Sequence, residues 1–185
     1  MVITVLGLFL LMITELAAGE EKALWDAVRS GGHVVLIRHA IAPGTGDPPE
    51  FTLGDCDTQR NLSEEGRNQA VRIGDQFRTN GIGSASVYSS QWCRCLETAK
   101  LLELGPVNEL PVLNSFFLRY ELRDPQTRIL EEWLAGQDPG RPLVLVTHQV
   151  NISALTGVFA SSGEMVVIRR NGTGKLSVVG TIQTD

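Results

Sequence analysis

Four side chains suited to phosphate chemistry stand at or just beyond the carboxyl ends of predicted strands. Arg38 and His39 follow one apolar run, Arg94 comes a few residues after a second strand, and His148 follows a third. Guanidinium groups match phosphate oxygens with a two-pronged hydrogen-bond geometry, and a neutral imidazole is a nucleophile because its free pKa is about 6.5. We therefore predict that His39 attacks phosphorus, that His148 donates a hydrogen bond to the phosphoryl oxygens, and that Arg38 and Arg94 hold the phosphate.

The surrounding elements predict an α/β fold. Residues 33–38 and 142–147 are continuous β-branched and leucine runs, typical of strands buried on both faces of a parallel sheet. Further elements are predicted from caps and periodicity: helices over 20–30, 63–79 (capped by Ser63), 91–104 and from Asp124-Pro125 to Gly136, a short strand over 86–89, and a terminal hairpin around Asn171-Gly172. In the helix that begins at Asp124, Ile129, Leu130, Trp133 and Leu134 are predicted to face inward. The long loop 40–62 is expected to be functional, because connections of this length are uncommon in compact domains.

Size and charge limit the function classes. The chain has 185 residues, 43% of them hydrophobic, and a formal net charge of −5. This length fits a single domain, and the acidic balance argues against a nucleic-acid partner. The expected partner is a small phosphorylated substrate, and the sequence makes no statement about the oligomeric state.

The N-terminal segment has the pattern of a secretory signal. Residues 2–13 are nearly all apolar and residues 15–20 are mostly small, so we predict a signal peptide over 1–19, a mature domain over 20–185, and export to the periplasm or beyond. The apolar run is too short for a stable membrane span. No Lys or Arg precedes it, which leaves open a mis-annotated start, an uncleaved anchor or a buried N-terminal element.

The three cysteines do not have the paired spacing of a zinc site, so neither a metal nor another cofactor is predicted. In an oxidising compartment Cys56 is expected to pair with either Cys93 or Cys95, which leaves one free thiol.

Four blocks resemble the histidine phosphatase superfamily, whose type fold is that of phosphoglycerate mutase. They occur in family order and are Leu36-Ile-Arg38-His39-Ala40, Asn61-Leu62-Ser63-Glu64-Glu65-Gly66-Arg67 with Gln69-Ala70, Ser89-Ser90-Gln-Trp-Cys-Arg94-Cys-Leu-Glu-Thr98-Ala99, and Val144-Leu-Val-Thr-His148. The resemblance implies a three-layer α/β/α sandwich with a mostly parallel central sheet, a phosphohistidine intermediate on His39, and no metal.

The sequence departs from the family pattern at two positions. Ala40 replaces the usual glycine, and Gln149 stands where one branch of the family has an acid directly after the second histidine. Another branch takes its proton donor from the region between the second and third strands, where Glu121 and Asp124 are the candidates. Since Asp124 is already predicted to cap a helix, Glu121 is the predicted acid.

Arg60 has two candidate roles. It either extends the phosphate pocket or pairs with Asp55 or Asp57 on the surface.

The predicted function is that of a metal-independent phosphatase that hydrolyses a phosphomonoester through a phosphohistidine. One alternative is a phosphomutase that uses the same intermediate. Phosphomutases of this family, however, carry added segments that exclude water from the active site. The other alternative is a catalytically silent module that binds phosphate or another protein.

Overall fold

A six-stranded sheet lies between two layers of helices. The computed structural model describes residues 19–138, 140–170 and 176–184. Its helices are α1 (19–30), α2 (Glu64–Thr79), α3 (Cys93–Leu101), α4 (Arg123–Ala135) and α5 (Gln149–Thr156). Its strands are β1 (His33–Arg38), β2 (Ser86–Ser89), β3 (Val107–Glu109), β4 (Leu143–Thr147), β5 (Met165–Arg170) and β6 (Leu176–Ile182).

The order of strands in the sheet is β3-β2-β4-β1-β5-β6. The pairings β2–β3, β2–β4 and β1–β4 are parallel, whereas β5 and β6 add antiparallel to the edge beside β1. Arg38 is level with Thr147, and Ser89 is level with Val146. The carboxyl ends of β1, β2 and β4 therefore meet at one edge, where open α/β sheets bind their ligands.

Hydrophobic packing on the two faces of the sheet explains the three layers. On one face, buried side chains of β1 and β4 pack with α1, α2 and α3, which contribute Trp25, Phe77 and Ala99 among others. On the other face, alternate residues of the same strands pack with Leu134 of α4 and Ile152 of α5. Because a strand points successive side chains to opposite faces, an uninterrupted apolar run fills both cores. The predicted three-layer α/β/α sandwich is confirmed.

The predicted cap of α4 is wrong. The helix begins at Arg123 with Leu122 as its N-cap, and the exposed Asp124 pairs with Arg123 instead of capping. A 3-10 turn over Tyr120–Leu122 runs directly into α4, so the chain is already helical before the predicted cap. Ile129, predicted to face inward, is 56% exposed, whereas Leu130 and Leu134 are buried as expected.

Two further elements differ from the expectation. Strand β3 was not predicted, because three residues are too short to give a readable alternation. Helix α3 ends at Leu101 and not at 104.

The terminal hairpin is confirmed as an antiparallel pair, β5 with β6, and its predicted turn at 171–172 lies outside the described residues. The predicted signal segment also lies outside them, apart from residue 19. Within the described ranges, no helix is both long and apolar enough to cross a bilayer.

Helix α2 fixes where the long loop 40–62 leaves the sheet. Ser63 accepts a hydrogen bond from the backbone N–H of Gly66, as its predicted capping role requires. A Cβ added at Gly66 would lie 2.0 Å from the carbonyl oxygen of Ile41, so only glycine lets the loop pack this closely on the helix. The Gln69 side chain then accepts from the Ile41 backbone N–H at 3.1 Å. The loop start next to His39 is therefore held in one position.

Candidate active site

The ends of three neighbouring strands gather the predicted site residues around one cavity of about 340 Å³. His39 follows β1, His148 follows β4, and Arg94 lies in the first turn of α3 just after β2. The backbone N–H of His39 donates to Thr147 at 2.9 Å, which ties the first two ends together. Arg38 and Arg60 line the same cavity. A volume of this size is ordinary for a small-molecule site.

His39 has the environment of a nucleophile. The residue is 3% exposed, and its Nδ1 lies 2.8 Å from the backbone carbonyl oxygen of Ala40. Because a carbonyl only accepts, Nδ1 carries the proton and Nε2 keeps a free lone pair. Burial first, and then the nearby Arg94 charge, lower the pKa of His39 to about 3. The imidazole is therefore neutral at any ordinary pH.

His148 lies beside it, with 5.6 Å between the two ring centroids. Its Nε2 is 2.8 Å from the Ser90 hydroxyl, and its Nδ1 is 3.4 Å from an Arg94 nitrogen. The Ser90 hydroxyl donates to Asn114, so it accepts from His148 and places the proton on Nε2. Burial and the neighbouring His39, Arg94 and other arginines hold the pKa of His148 well below its usual value.

Three guanidinium groups make the floor of the cavity positive. Arg38 donates to the Ala160 carbonyl at 2.9 Å, and Arg60 donates to Gly46 at 2.6 Å and to Ala42. The Nε atoms of Arg38 and Arg94 are buried without a hydrogen-bond acceptor in the described part of the chain. Buried N–H donors without an acceptor are costly, and anion oxygens would satisfy them. Arg60 therefore lies in the cavity, as the first of its two candidate roles requires, and its contact with phosphate stays a prediction.

Asp47, in the long loop, was not among the residues predicted from the sequence to form the site. Its carboxylate is 7% exposed and accepts from Arg94 at 2.7 and 3.1 Å and from the Trp92 indole N–H at 3.0 Å. Burial opposes ionisation of Asp47, but the hydrogen bonds and charge of Arg94 outweigh it, and its pKa is lowered. Asp47 is the one carboxylate among the described residues that line the cavity.

Glu121 lies outside the cavity. Its side chain is 67% exposed and pairs with Arg119 at 3.2 Å. Arg119 does line the cavity rim, but Glu121 does not. The 3-10 turn at the start of α4 explains this placement, because it turns Glu121 towards solvent.

A disulfide holds the loop against α3. Of the two predicted partners for Cys56, the structure pairs it with Cys93, the residue before Arg94, while Cys95 stays free and buried. The side chain of Gln59 reinforces this link by accepting from the Cys93 backbone N–H at 3.0 Å. Arg94 in turn donates to the Asp47 carboxylate and to the Arg60 carbonyl, so both loop residues lie next to it.

No group of three or more His, Cys, Asp or Glu residues in the described ranges is placed to hold a metal ion. The predicted independence from metal stays a prediction, which the assays below test.

The buried histidines make stability depend on pH. The unfolded state protonates His39 below about pH 6.5, whereas the folded state does so only near 3, so stability falls as the pH drops through this window. We expect His39→Gln to reduce the loss of unfolding free energy between about pH 7.5 and about pH 5 by about 2 kcal/mol. Urea unfolding at both pH values measures this, with His33→Gln, outside the cavity, as the control. An unchanged pH dependence in His39→Gln would show that the folded state admits the proton.

The chain matches known proteins in sequence and in fold. A model of the histidine phosphatase superfamily (branch 1) matches residues 34–116, a span that includes Arg38, His39, Arg60 and Arg94. No curated protein sequence matches significantly. The match confirms the resemblance of this chain to the histidine phosphatase superfamily.

Solved structures show the same fold at low sequence identity. The protein histidine phosphatase SixA in complex with tungstate is 15% identical, with a TM-score of 0.58, covering 82% of this chain and 96% of that one. A phosphoserine phosphatase variant from Entamoeba histolytica is 15% identical, with a TM-score of 0.60 and coverages of 80% and 95%. A mycobacterial glucosyl-3-phosphoglycerate phosphatase is 16% identical, with a TM-score of 0.57 and coverages of 83% and 96%. The chain therefore has a phosphatase-like fold of the phosphoglycerate mutase type.

Proposed function

We propose that the protein hydrolyses a small phosphomonoester through a phosphohistidine on His39, without a metal. The observation that carries this proposal is the state of His39, which is neutral and has Nδ1 committed to the Ala40 carbonyl. Its lone pair on Nε2 is therefore available in a cavity whose floor is lined by the guanidinium groups of Arg38, Arg60 and Arg94. A nucleophile next to an anion site is the arrangement that phosphoryl transfer needs.

In the first step, the Nε2 lone pair of His39 attacks phosphorus and the bond from phosphorus to the ester oxygen breaks. Arg38, Arg60 and Arg94 hold the equatorial oxygens, where the charge is spread in the transition state. Binding of the phosphate dianion favours protonation of His148, whose Nδ1 would then donate to a phosphoryl oxygen. In the second step, water attacks the phosphohistidine, the bond from phosphorus to nitrogen breaks, and inorganic phosphate leaves.

The leaving oxygen needs a proton, and we assign its transfer to Asp47 in place of Glu121. When a phosphate takes over the donors of Arg94, Asp47 loses its main stabilising partner and lies next to an anion, which raises its proton affinity. The protonated carboxyl gives its proton to the leaving alcohol, and the resulting carboxylate takes one from the attacking water. The carboxyl takes its first proton from solvent as the phosphate binds and releases one to solvent when phosphate leaves and Arg94 pairs with Asp47 again. Asp47 therefore ends each turnover as the carboxylate with which it began.

We further propose that the protein acts outside the cytoplasm. The support is the apolar segment over residues 2–13 and the Cys56–Cys93 disulfide, because disulfides persist in oxidising compartments. Exported and cytosolic forms differ in mass by the signal segment, so the intact mass of the protein recovered from its native cell tests this. A mass that includes residues 1–19 would contradict cleavage.

Hydrolysis of para-nitrophenyl phosphate in excess EDTA tests the proposed function. We expect turnover that survives chelation, together with an acid-labile, alkali-stable phosphoenzyme that peptide mapping locates on His39. A phosphorylated species whose phosphoryl group returns to substrate instead of appearing as inorganic phosphate would favour the phosphomutase. Neither turnover nor labelling of the folded protein would favour the binding module.

A further inference from the structure

The cavity has two chemically different halves. We call the first the phosphate cage, formed by Arg38, His39, Arg60, Arg94 and His148. We call the second the apolar wall, formed by Phe51, Trp92, Phe117, Leu118 and Val150. Both halves line one continuous cavity, so a ligand whose phosphate is in the cage meets the apolar wall with the rest of its structure.

The apolar wall is built from four separate segments of chain. Phe51 from the long loop packs on Trp92 with ring centroids 5.4 Å apart. On the other side, Phe117 reaches the loop, since a Cβ added at Gly46 would lie 3.9 Å from its ring. The polar atom of Trp92 is already bonded to Asp47, so this residue contributes only apolar surface to the cavity lining.

The outer part of this wall is exposed although it is strongly apolar. Phe117 is 51% exposed and Leu118 is 69% exposed, and Tyr120 at 67% continues the same segment. A cluster of exposed apolar side chains on a soluble domain often marks a place where a ligand is bound. Here the cluster forms the entrance to a cavity with an anion site at its base.

Few polar side chains lie next to the apolar wall, and two of them already have hydrogen-bond partners. The Ser115 hydroxyl accepts from the Phe117 backbone N–H at 3.3 Å, and Arg119 pairs with Glu121. Thr45 and Gln149 are the remaining neutral polar side chains among the lining residues. A sugar ring presents several hydroxyl groups and needs a hydrogen-bond partner for each one that is buried. The five side chains of the apolar wall offer such hydroxyl groups no free polar atom, whereas they would bury an apolar group without leaving a polar atom unpaired.

We propose that the phosphomonoester taken by this site carries an alkyl or aromatic group next to its phosphate, and is not a free sugar phosphate. This inference rests on the proposed function for its catalytic readout, but the binding readout below is independent of it. The apolar group would lie between Phe51 and Phe117, over the face of Trp92. Burial of each methylene there strengthens transition-state binding, by roughly threefold to fourfold where burial is complete.

A series of n-alkyl phosphates from methyl to hexyl tests the inference, with glucose 6-phosphate as the polar comparison. The leaving alcohols have similar basicity, so a trend in kcat/KM reports contact with the wall. We expect kcat/KM to rise roughly twofold to fourfold per methylene and to exceed that of glucose 6-phosphate by at least about tenfold for hexyl phosphate. Calorimetric binding of n-alkyl phosphonates, which cannot be hydrolysed at the carbon–phosphorus bond, gives the same trend without turnover.

In the double variant Phe117→Ala/Leu118→Ala, we expect both kcat/KM for the alkyl phosphates and the affinity for the alkyl phosphonates to stop rising with chain length. Phe159→Ala is the matched control, because Phe159 is 79% exposed but does not line the cavity. A final comparison, between hexyl phosphate in solution and hexadecyl phosphate in phosphatidylcholine vesicles, distinguishes a free small molecule from a lipid as the source of the apolar group.

The two proposals fail in different ways. If the enzyme hydrolyses para-nitrophenyl phosphate but neither kcat/KM nor phosphonate affinity changes with chain length, the apolar specificity is overturned and the proposed phosphatase activity stands. A chain-length trend in phosphonate binding without any turnover would overturn the phosphatase and leave the apolar ligand class standing. Selective turnover of glucose 6-phosphate would also overturn the inference.

Discussion

Replacing His39 with alanine is expected to lower phosphatase turnover by roughly 10⁴-fold or more, because no other atom then forms the bond to phosphorus. Phosphoenzyme labelling should disappear together with the activity. Initial rates with para-nitrophenyl phosphate and trapping of the phosphoenzyme by an alkaline quench measure the two effects. The variant should fold, since the main partner lost by the side chain is the Ala40 carbonyl.

Two matched variants make this result specific to the nucleophile. His33→Ala should keep nearly full turnover, because His33 bonds the Gly31 carbonyl at the start of β1 and does not line the cavity. His148→Ala should be slow but still form labelled enzyme, since its Nε2 faces Ser90 and its role is to stabilise charge. If His39→Ala retained its label and His148→Ala lost it, the two histidines would have to exchange roles.

The strands that carry the site could be predicted because they are buried on both faces. The run from His33 to Arg38 has almost no alternation, and only a central strand of a covered sheet buries such a run. His39 and His148 were therefore placed correctly, since a residue directly after a central parallel strand lies at the ligand-binding edge. The cap of α2 was equally readable, because Ser63 and its partner Gly66 are neighbours in sequence.

Asp47 could not be found in this way, because its position depends on contacts distant in sequence. Its partners Arg94 and Trp92 lie 47 and 45 residues further along the chain. The glycines and prolines of loop 40–62 marked the segment as irregular, but they do not determine which side chain turns inward. The position of Glu121 outside the cavity could not be predicted either, because the local sequence gave no sign of the 3-10 turn over Tyr120–Leu122.

The contribution of Asp47 to turnover is expected to increase with the basicity of the leaving group. In Asp47→Asn, we expect the turnover of alkyl phosphates to fall by roughly 10²-fold to 10³-fold, because an alkoxide leaves only when it is protonated. With 2,4-dinitrophenyl phosphate, whose leaving group needs no proton, the burst of dinitrophenol that accompanies phosphorylation of His39 should keep nearly its normal rate. Rapid-quench measurements of burst and steady state separate the two steps.

A purely structural role of Asp47 gives a different pattern. If the carboxylate only positioned Arg94, its loss would weaken phosphate binding and would slow the burst and the alkyl phosphates alike. Phosphonate affinity distinguishes the two, because a proton-transfer role predicts unchanged or tighter binding once Arg94 is no longer paired with a competing carboxylate. Glu121→Gln is the matched control and should behave as wild type. A selective loss of alkyl phosphate turnover in Glu121→Gln but not in Asp47→Asn would return the acid to Glu121 and require the segment at 115–121 to close over the bound substrate.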